Sequence, residues 1–578
     1  MNRAALLALA LLVLGAAPAP LVVGSVRDQD GAPIAGAHVH LLGTAVSASA
    51  LTAADGTFAI EGTGPAVEIR CDYCRPLEAP VASDGTVAAV VQRYDALRSE
   101  GPTPGDLRAL PYLHAESDVA LTPFVVLEEN GNPLFGTSLR DRSVSTVGGL
   151  LVLDGVPDYN GTDGFTTYPT IPYDSAASLR VDRADQGYEY GSIAQAGTFA
   201  IDTIGGTTTV AGGSDAFATL DAPGLAGGYS VGPGDLRNRV AAQIPISLSN
   251  ASTQIALSSG SADIDGTANN TLQSAFSSLR ASFERTQGTD LYANFTADRG
   301  TDGYTAPHGD VDDTWSDVDA SAGVRSHAVI APFAEVDVRT TSGWYWSPAQ
   351  APYVAGSIDQ TRAYAGISAN LPWYSANVAY GLDAIRYVNA YPDEQGTPVS
   401  GHDGSASIDL HPSPIWDLHA STSSGYVLQT VFGSYLEEDN GYTPGDALST
   451  NELDLTLQDL RRVRFGLTSF ETRSVSGTAD ASSGAQFAWQ IAPSISLRTW
   501  WLEVRPNTGS EQSVGSAWLT AQAGVIRIDV IWRRDLFDLA GDMHLDGSIS
   551  GPIGVRAHWF AETEQFERAR STNVGVRF

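Results

Sequence analysis

From residue 205 onward one pattern recurs: short runs in which apolar residues alternate with polar or charged ones. Across residues 525–532, Ile526, Ile528, Val530 and Trp532 fall on one side and Arg527 and Asp529 on the other. Ala334, Val336 and Val338 alternate with Glu335, Asp337 and Arg339, and Leu453, Leu455 and Leu457 with Asp454, Thr456 and Gln458. A repeat of two is the side-chain period of a β-strand. Soluble sandwiches alternate too, but a charged face this regular over so many strands leaves little core per strand. A closed barrel in lipid resolves the conflict. It turns the apolar face outward, wets the other, and pairs backbone groups strand to strand with no edge in hydrocarbon. At about 9 to 11 residues per spanning strand plus turns, 205–578 accommodates roughly 18 to 22 strands.

The composition limits the alternatives. A chain of 578 residues exceeds one ordinary domain. After the N-terminus no apolar run reaches the roughly 20 residues of a spanning helix, so any membrane crossing is by strands. The balance of 33 basic against 66 acidic residues gives a net charge of −33, and every basic residue is arginine. Such a surface repels nucleic-acid phosphate. Two cysteines in so long a chain rule out a disulfide framework. Within the barrel region, 370–374 and 411–416 read as tight turns, and 298–317 and 389–404 as longer surface loops. Trp344-Tyr345-Trp346, Trp500-Trp501 and Trp559-Phe560 read as interfacial aromatic girdles.

Ahead of the barrel the chain divides further. Met1-Asn2-Arg3, the apolar stretch 4–14 and Ala16-Ala17-Pro18-Ala19 form the pattern of a secretory signal, 1–19. A membrane anchor is the alternative, opposed by Pro18 and Pro20. Residues 20–96 alternate around Asp-Gly and Gly-x-Pro turns, as in a compact antiparallel β-sandwich. Within it His38 and His40 share a strand face, two ligands short of a metal site. Cys71 and Cys74 can close a small-loop disulfide, stay as thiols or exchange. They follow the strand-like Val67-Glu68-Ile69-Arg70, not the helix start of a redox centre. Gly101-Pro102-Thr103-Pro104-Gly105 marks 97–117 as a linker. In 150–203 each apolar run is short enough for a strand. Asp154-Gly155 supplies a tight turn and Pro157 stops the next run, giving a small α/β or β-rich domain.

The motifs of that domain stand in a familiar order. Ser138-Leu139-Arg140, Leu151-Val152-Leu153-Asp154-Gly155-Val156-Pro157, Ile171-Pro172, Val181-Asp182-Arg183, Tyr190-Gly191-Ser192 and Gly197-Thr198-Phe199-Ala200-Ile201-Asp202 resemble, in sequence, the plug domain of TonB-dependent outer-membrane receptors. The first unit resembles the carboxypeptidase regulatory-like domain that often precedes such plugs. The match runs through Gly24-x-Val26-x-Asp28, Gly31-x-Pro33-Ile34-x-Gly36-Ala37-x-Val39 and Asp55-Gly56-x-Phe58. This second family domain is non-catalytic.

The resemblance implies a mainly β protein: an N-terminal β-sandwich, an abbreviated plug over 118–204, and a transmembrane antiparallel barrel of about 22 strands over 205–578. The plug is abbreviated because Pro123-Phe124-Val125-Val126-Leu127 passes almost at once to Ser138, without the family's helix, and Ala184 replaces the usual glycine after arginine. The family's energy-coupling box adds a strand to a TonB-type partner. Its nearest counterpart is Asp118-Val119-Ala120-Leu121-Thr122. Val574, Val576 and Phe578 resemble the terminal signal read by the barrel-assembly machinery. By position, Tyr159, Asn160 and Asp163 of a plug loop and Tyr304, His308 and Asp310 of a surface loop are candidates for solute contact. The implied solute is a metal chelate or siderophore, a cofactor or an oligosaccharide, taken up by a monomer set in outer-membrane lipid. The sequence assigns no catalytic residue, cofactor or metal: nucleophile-elbow, zincin, phosphate-loop and dinucleotide motifs are missing. Asp310-Val311-Asp312-Asp313 lacks the glycine and distal glutamate of a calcium loop and reads as solvated charge. Two alternatives stay open: a plugged barrel without energy coupling, and a soluble secreted adhesin.

Overall fold

The computed structural model describes residues 21–28, 33–34, 37–42, 48–53, 55–62, 64–70, 77–82, 84–91, 102, 106–107, 110, 114–129, 137–142, 149–158, 171, 176–183, 194, 197–203, 209–213, 218–222, 224–232, 235–248, 251–265, 271–286, 289–306, 309–326, 328–346, 354–371, 373–388, 399–413, 415–426, 446–459, 463–492, 494–506, 511–537, 540–553, 557–566 and 569–577. It divides into two compact units, Met1–Arg98 and Ser99–Phe578. Cys71 and Cys74 lie outside the described residues.

The first unit is a sandwich of two sheets. One orders Thr57–Glu61, Leu21–Asp28 and Thr86–Val91; the other orders Ala48–Leu51, His38–Leu42, Ala66–Arg70 and Leu77–Pro80. Alternate residues point inward, so Val22, Val26, Phe58, Ile60, Val87 and Val91 meet Val39, Leu41, Val67 and Ile69 in one core. Each large apolar side chain so buried contributes on the order of 1.5–3 kcal/mol. The antiparallel expectation needs one correction, because the last strand runs parallel to the first, Val23 opposite Thr86 through Asp28 opposite Val91. The strands flanking Leu21–Asp28 start from the same turn. Asp55 Oδ1 accepts from the Thr57 amide at 3.0 Å and its hydroxyl at 2.7 Å, and Asp84 Oδ1 repeats both distances with Thr86.

In the second unit, strands from Thr209–Gly213 through Ala569–Arg577 form an antiparallel ring of 22. Pairing of Ala211, Gly212 and Gly213 with Arg577, Val576 and Gly575 closes it. Burial runs opposite to that of a soluble protein. Val336 is 51% exposed and Leu453 53%, whereas Asp454 is 0% and Arg533 1%. The apolar members of the alternation thus form the outer face and the charged members line the interior, as lipid outside requires. No described helix is long and apolar enough to cross a membrane.

Tight hairpins at one end join Leu371 to Tyr374, Ser413 to Trp416 and Ala523 to Ile526. The reading of 298–317 as a loop is corrected: both flanks belong to paired strands, Thr289–Ala306 and Gly309–Ser326, which turn between Ala306 and Gly309. Glycine and short polar residues hid that pairing from a hydropathy pattern. The aromatic girdle is half corrected. Trp501 is exposed and Trp559 half-buried, but Trp500 and Phe560 are buried, and the side chains of 344–346 lie outside the described residues.

The plug has a four-stranded sheet ordered Val156–Asp158, Leu150–Leu153, Thr198–Asp202 and Ser178–Asp182, the middle two parallel. Leu151, Leu153, Ile171, Val181, Phe199 and Ile201 form its core, joined by Leu107 and Ala115 from the stretch read as a linker. A separate hairpin, Val125–Glu129 with Thr137–Asp141, leaves this sheet and joins the barrel wall. Its first strand lies parallel to Ile526–Phe537, with Glu128 opposite Leu536 and Glu129 opposite Phe537. Ahead of it Ala115–Val119 is a short helix with all five residues buried. The candidate box 118–122 is therefore corrected. It is the end of a helix and the following turn, buried throughout, and offers no extended strand to a partner.

Candidate functional site at the plug–wall contact

The hairpin tip Asp154-Gly155 reaches the wall. Both residues take positive φ, 52° and 77°, as a two-residue turn with the twist of its strands demands. The Thr203 amide donates to Asp154 Oδ1 at 2.7 Å and the Thr203 hydroxyl to Oδ2 at 2.9 Å. The remaining capacity of the carboxylate goes to the wall, where Arg239 Nη2 donates to Oδ2 at 2.6 Å. Beside it Arg280 crosses so close to Gly155 that a Cβ there would meet its Nη1 at 1.8 Å. The tip sits between two wall arginines.

A second contact joins Asp141, Arg142 and Arg183 of the plug to Glu452 and Asp454 of the wall strand Ala447–Asp459. Arg183 Nη1 stands 3.0 Å from Glu452 Oε1 and 2.5 Å from Asp454 Oδ2. Arg142 Nη2 reaches Asp454 Oδ2 at 3.3 Å, its Nε donates to the Thr468 hydroxyl at 3.1 Å, and its Nη1 pairs with Asp141. Burial pulls against ionisation of both arginines, but Asp454, Glu452 and Asp141 outweigh it, and both pKa values are raised. Burial raises Asp141 despite Arg142 and Arg183. Arg142 (φ 58°) and Phe124 (φ 69°) both hold left-handed backbone, a conformation retained only where the surroundings over-determine it. Here they do: the Arg142 amide donates to the Phe124 carbonyl at 2.9 Å. The guanidinium lies 5.2 Å over the Phe124 ring, and Phe124 meets wall Trp500 edge-on with centroids 6.1 Å apart.

The start of the unit makes a third set of contacts. Asp106 bridges Arg498 and Arg527 at 3.1 Å each, and His114 Nδ1 stands 2.9 Å from Glu564 Oε2. Arg237 Nη1 donates to Glu116 Oε1 at 3.4 Å. Leu110 and Leu121 pack on wall Trp518 and Ile531. Burial, with Glu564 and Glu116 nearby, raises the Asp118 pKa well above the usual carboxylate range.

Of the residues singled out in sequence, Tyr304 and Asp310 lie on the two strands of one hairpin, Thr305 opposite Asp310 and Tyr304 opposite Val311. They stand at its tip, at the barrel end away from the tight hairpins. Tyr159, Asn160, Asp163 and His308 lie outside the described residues. Val574 faces outward and Val576 is half-buried on the closing strand, while Phe578 lies outside the described residues. Arg239, Arg280, Glu452 and Glu564 were not anticipated. Their one signal was the inward-facing charge of the alternation, which names a side of a strand but no partner. Among the described residues no three His, Cys, Asp or Glu side chains gather as a metal site.

Comparison with known proteins places this geometry. Residues 22–90 match the carboxypeptidase regulatory-like domain family. A comparison with curated protein sequences gives no match. Among solved structures, a copper transporter, OprC, is 10% identical with a TM-score of 0.61, over 80% of this chain and 94% of that one. The alcaligin outer-membrane receptor FauA from Bordetella pertussis is 11% identical with a TM-score of 0.60, over 86% of this chain and 97% of that one. The ferric yersiniabactin uptake receptor FyuA from Yersinia pestis is 13% identical with a TM-score of 0.61, over 82% of this chain and 96% of that one. The chain thus has the plug-in-barrel fold of TonB-dependent outer-membrane receptors, with a carboxypeptidase regulatory-like domain ahead of it.

Proposed function

We propose that this protein is an outer-membrane receptor that binds a scarce solute at the cell surface and admits it to the periplasm when the plug rearranges. The observation that carries the reading is the plug itself, held inside a closed ring by buried ion pairs at Asp154–Arg239 and at Arg142 and Arg183 with Asp454. Ionic contacts position a plug yet leave it separable, since charges can be rehydrated when water enters, as an apolar core cannot. The hairpin bearing Tyr304 and Asp310 supports surface capture. Its strands are 18 residues each, roughly 60 Å at about 3.3 Å per residue, longer than the roughly 30 Å hydrocarbon core needs even when tilted. Its tip therefore reaches beyond the bilayer.

The named structures are a copper transporter, an alcaligin receptor and a ferric yersiniabactin uptake receptor. For this chain we favour a metal cation or cationic complex, because among the described residues the buried wall positions hold fifteen Asp and Glu against five Arg. The test is uptake of radiolabelled copper and of a ferric siderophore by cells with and without this protein, before and after proton-motive force is dissipated. Uptake that needs the protein and collapses with the force supports the receptor reading. Uptake indifferent to the force favours the second reading, a plugged barrel without energy coupling, which the buried helical state of 118–122 motivates. No protein-dependent uptake of either probe counts against import of both classes.

A further inference from the structure

Each sheet of the first unit has two edge strands, and three of the four are guarded as natural edges are, by charge, proline or brevity. Thr57–Glu61 ends in a glutamate, Leu77–Pro80 carries Glu78 and Pro80, and Ala48–Leu51 is four residues long. Thr86–Val91 is the exception. Its six residues, Thr-Val-Ala-Ala-Val-Val, include no charge, glycine or proline, and among the described residues it pairs on one side only, with Leu21–Asp28. The hydrogen bonds show which main-chain groups stand open. The Val23 amide donates to the Gly85 carbonyl at 3.0 Å, while the Thr86 carbonyl accepts from the Ala82 amide at 2.9 Å on the opposite side. Successive strand residues turn these groups to alternate sides, so Ala88 and Val90 direct N–H and C=O away from Leu21–Asp28. Ala88 is exposed, and Val90 is 62% exposed. Val87, Ala89 and Val91 are buried in the core, and Leu77 and Val81 are only partly buried against it.

We propose that Thr86–Val91 is a docking edge: a cationic extended segment of another polypeptide adds a strand there, pairing with the main chain of Ala88 and Val90. In such an addition the main chain supplies the hold and alternate side chains the choice of partner. One face of the added strand continues the buried row Val87, Ala89 and Val91 and takes apolar residues. The other continues the exposed row Ala88 and Val90, where Lys or Arg stems lie on apolar surface and keep their charge in water. Charge selects the basic segment. Residues 21–91 hold eight Asp and Glu against three Arg, with Asp84 just ahead of the edge and Asp28 opposite Val91 at its far end. A second copy of this edge brings like charge to like; a basic segment does not.

The test uses the full chain in detergent micelles and fluorescein-labelled synthetic peptides, read by fluorescence anisotropy and by hydrogen exchange. A peptide alternating valine with lysine is expected to bind and to slow exchange of the 86–91 amides. A peptide alternating glycine with lysine, equal in charge but poor in strand propensity, should bind far more weakly, as should one alternating valine with glutamate. Ala88→Pro removes an N–H that makes no bond to Leu21–Asp28, a place where an edge strand accepts proline. It should weaken binding of the valine–lysine peptide about tenfold, as loss of a pairing bond predicts. Val90→Lys, at an exposed position, should weaken it by charge and keeps the test decisive if Ala88→Pro unfolds the unit. No binding, equal binding to the wild type and both variants, or unchanged exchange at 86–91 overturns the proposal. Equal binding of the glycine or the glutamate peptide overturns it too. So does protection of 86–91 that grows with protein concentration in the absence of peptide, which would give the edge to a second copy.

Discussion

Asp154 at the tip of a plug hairpin and Arg239 on the barrel wall form an ion pair at 2.6 Å, with the side chains 6% and 2% exposed. Thr203 fixes the carboxylate from behind through its amide and hydroxyl, so the pair is positioned before it forms. Removing one member of a buried pair strands the other and costs about 3–5 kcal/mol. Asp154→Ala should therefore weaken plug docking by that order, seen as more frequent channel openings in planar bilayers bathed in KCl. Asp154→Ala combined with Arg239→Ala should be less leaky than Asp154→Ala alone. Strict additivity of the two would show that the pair carries no coupling.

Gly155 carries two constraints that one experiment separates. Its φ of 77° costs a residue with a Cβ about 1–2 kcal/mol, and the new Cβ would strike Arg280 Nη1. The guanidinium ends a flexible chain and can move aside, so backbone strain should dominate. Gly155→Ala is expected to destabilise docking by about 1–2 kcal/mol. Most of that cost should persist in an Arg280→Ala background, as measured by the urea midpoint of plug release. Full rescue by Arg280→Ala would mean that the side-chain clash was the larger effect.

In the N-terminal unit, Asp55 and Asp84 have lowered pKa values because each accepts bonds from the hydroxyl and amide of the threonine two residues on. A lowered folded value means that the unfolded chain binds the proton more readily. The stabilisation is thus present above about 3.8 and lost as pH falls through the folded values. The sharp acid loss in the wild-type unit should be blunted in Asp55→Asn with Asp84→Asn. That variant should melt lower at neutral pH and approach the wild type as pH falls through the lowered folded values, as measured by calorimetry. Parallel curves at every pH would place the acid sensitivity elsewhere.

Much of this architecture was legible in sequence because period two is a local property. Ile528 and Val530 against Asp529 already told which face each residue takes, and the structure places Asp529 inside and the two apolar residues outside. The tip Asp154-Gly155 was likewise readable as a turn, since positive φ at two adjacent positions selects those residue types. The partners were not. Nothing near residue 154 points to residue 239, nor from 183 to 454, because a lumen contact depends on strand register around the whole ring. Residues 118–122 misled for the opposite reason: a short stretch judged by motif carried no sign that Trp518 and Ile531 would cover Leu121.

Charge on the wall leads to the last prediction. Among the described residues, the buried positions of the barrel strands hold fifteen carboxylates, among them Asp317, Asp383, Asp403 and Asp454, against the guanidiniums of Arg237, Arg239, Arg339, Arg362 and Arg533. Two of these arginines are committed locally, Arg339 to Asp317 and Arg362 to Asp403, and the plug's Arg183, which pairs with Asp454, leaves with the plug. A low-dielectric wall lined with one sign of charge concentrates counter-ions and repels co-ions. With the plug displaced by urea, the pore should prefer K⁺ over Cl⁻, and the reversal potential under a KCl gradient should lie toward the potassium value. Screening length falls from about 30 Å at 0.01 M to about 10 Å at 0.1 M, so the preference should weaken as salt rises. Asp383→Asn, which keeps the side chain's size and a carbonyl oxygen to receive the Gln360 amide bond, should reduce it further. Anion preference would mean that the surplus carboxylates stand neutral in the open pore, and the case for a cationic solute would fall with it.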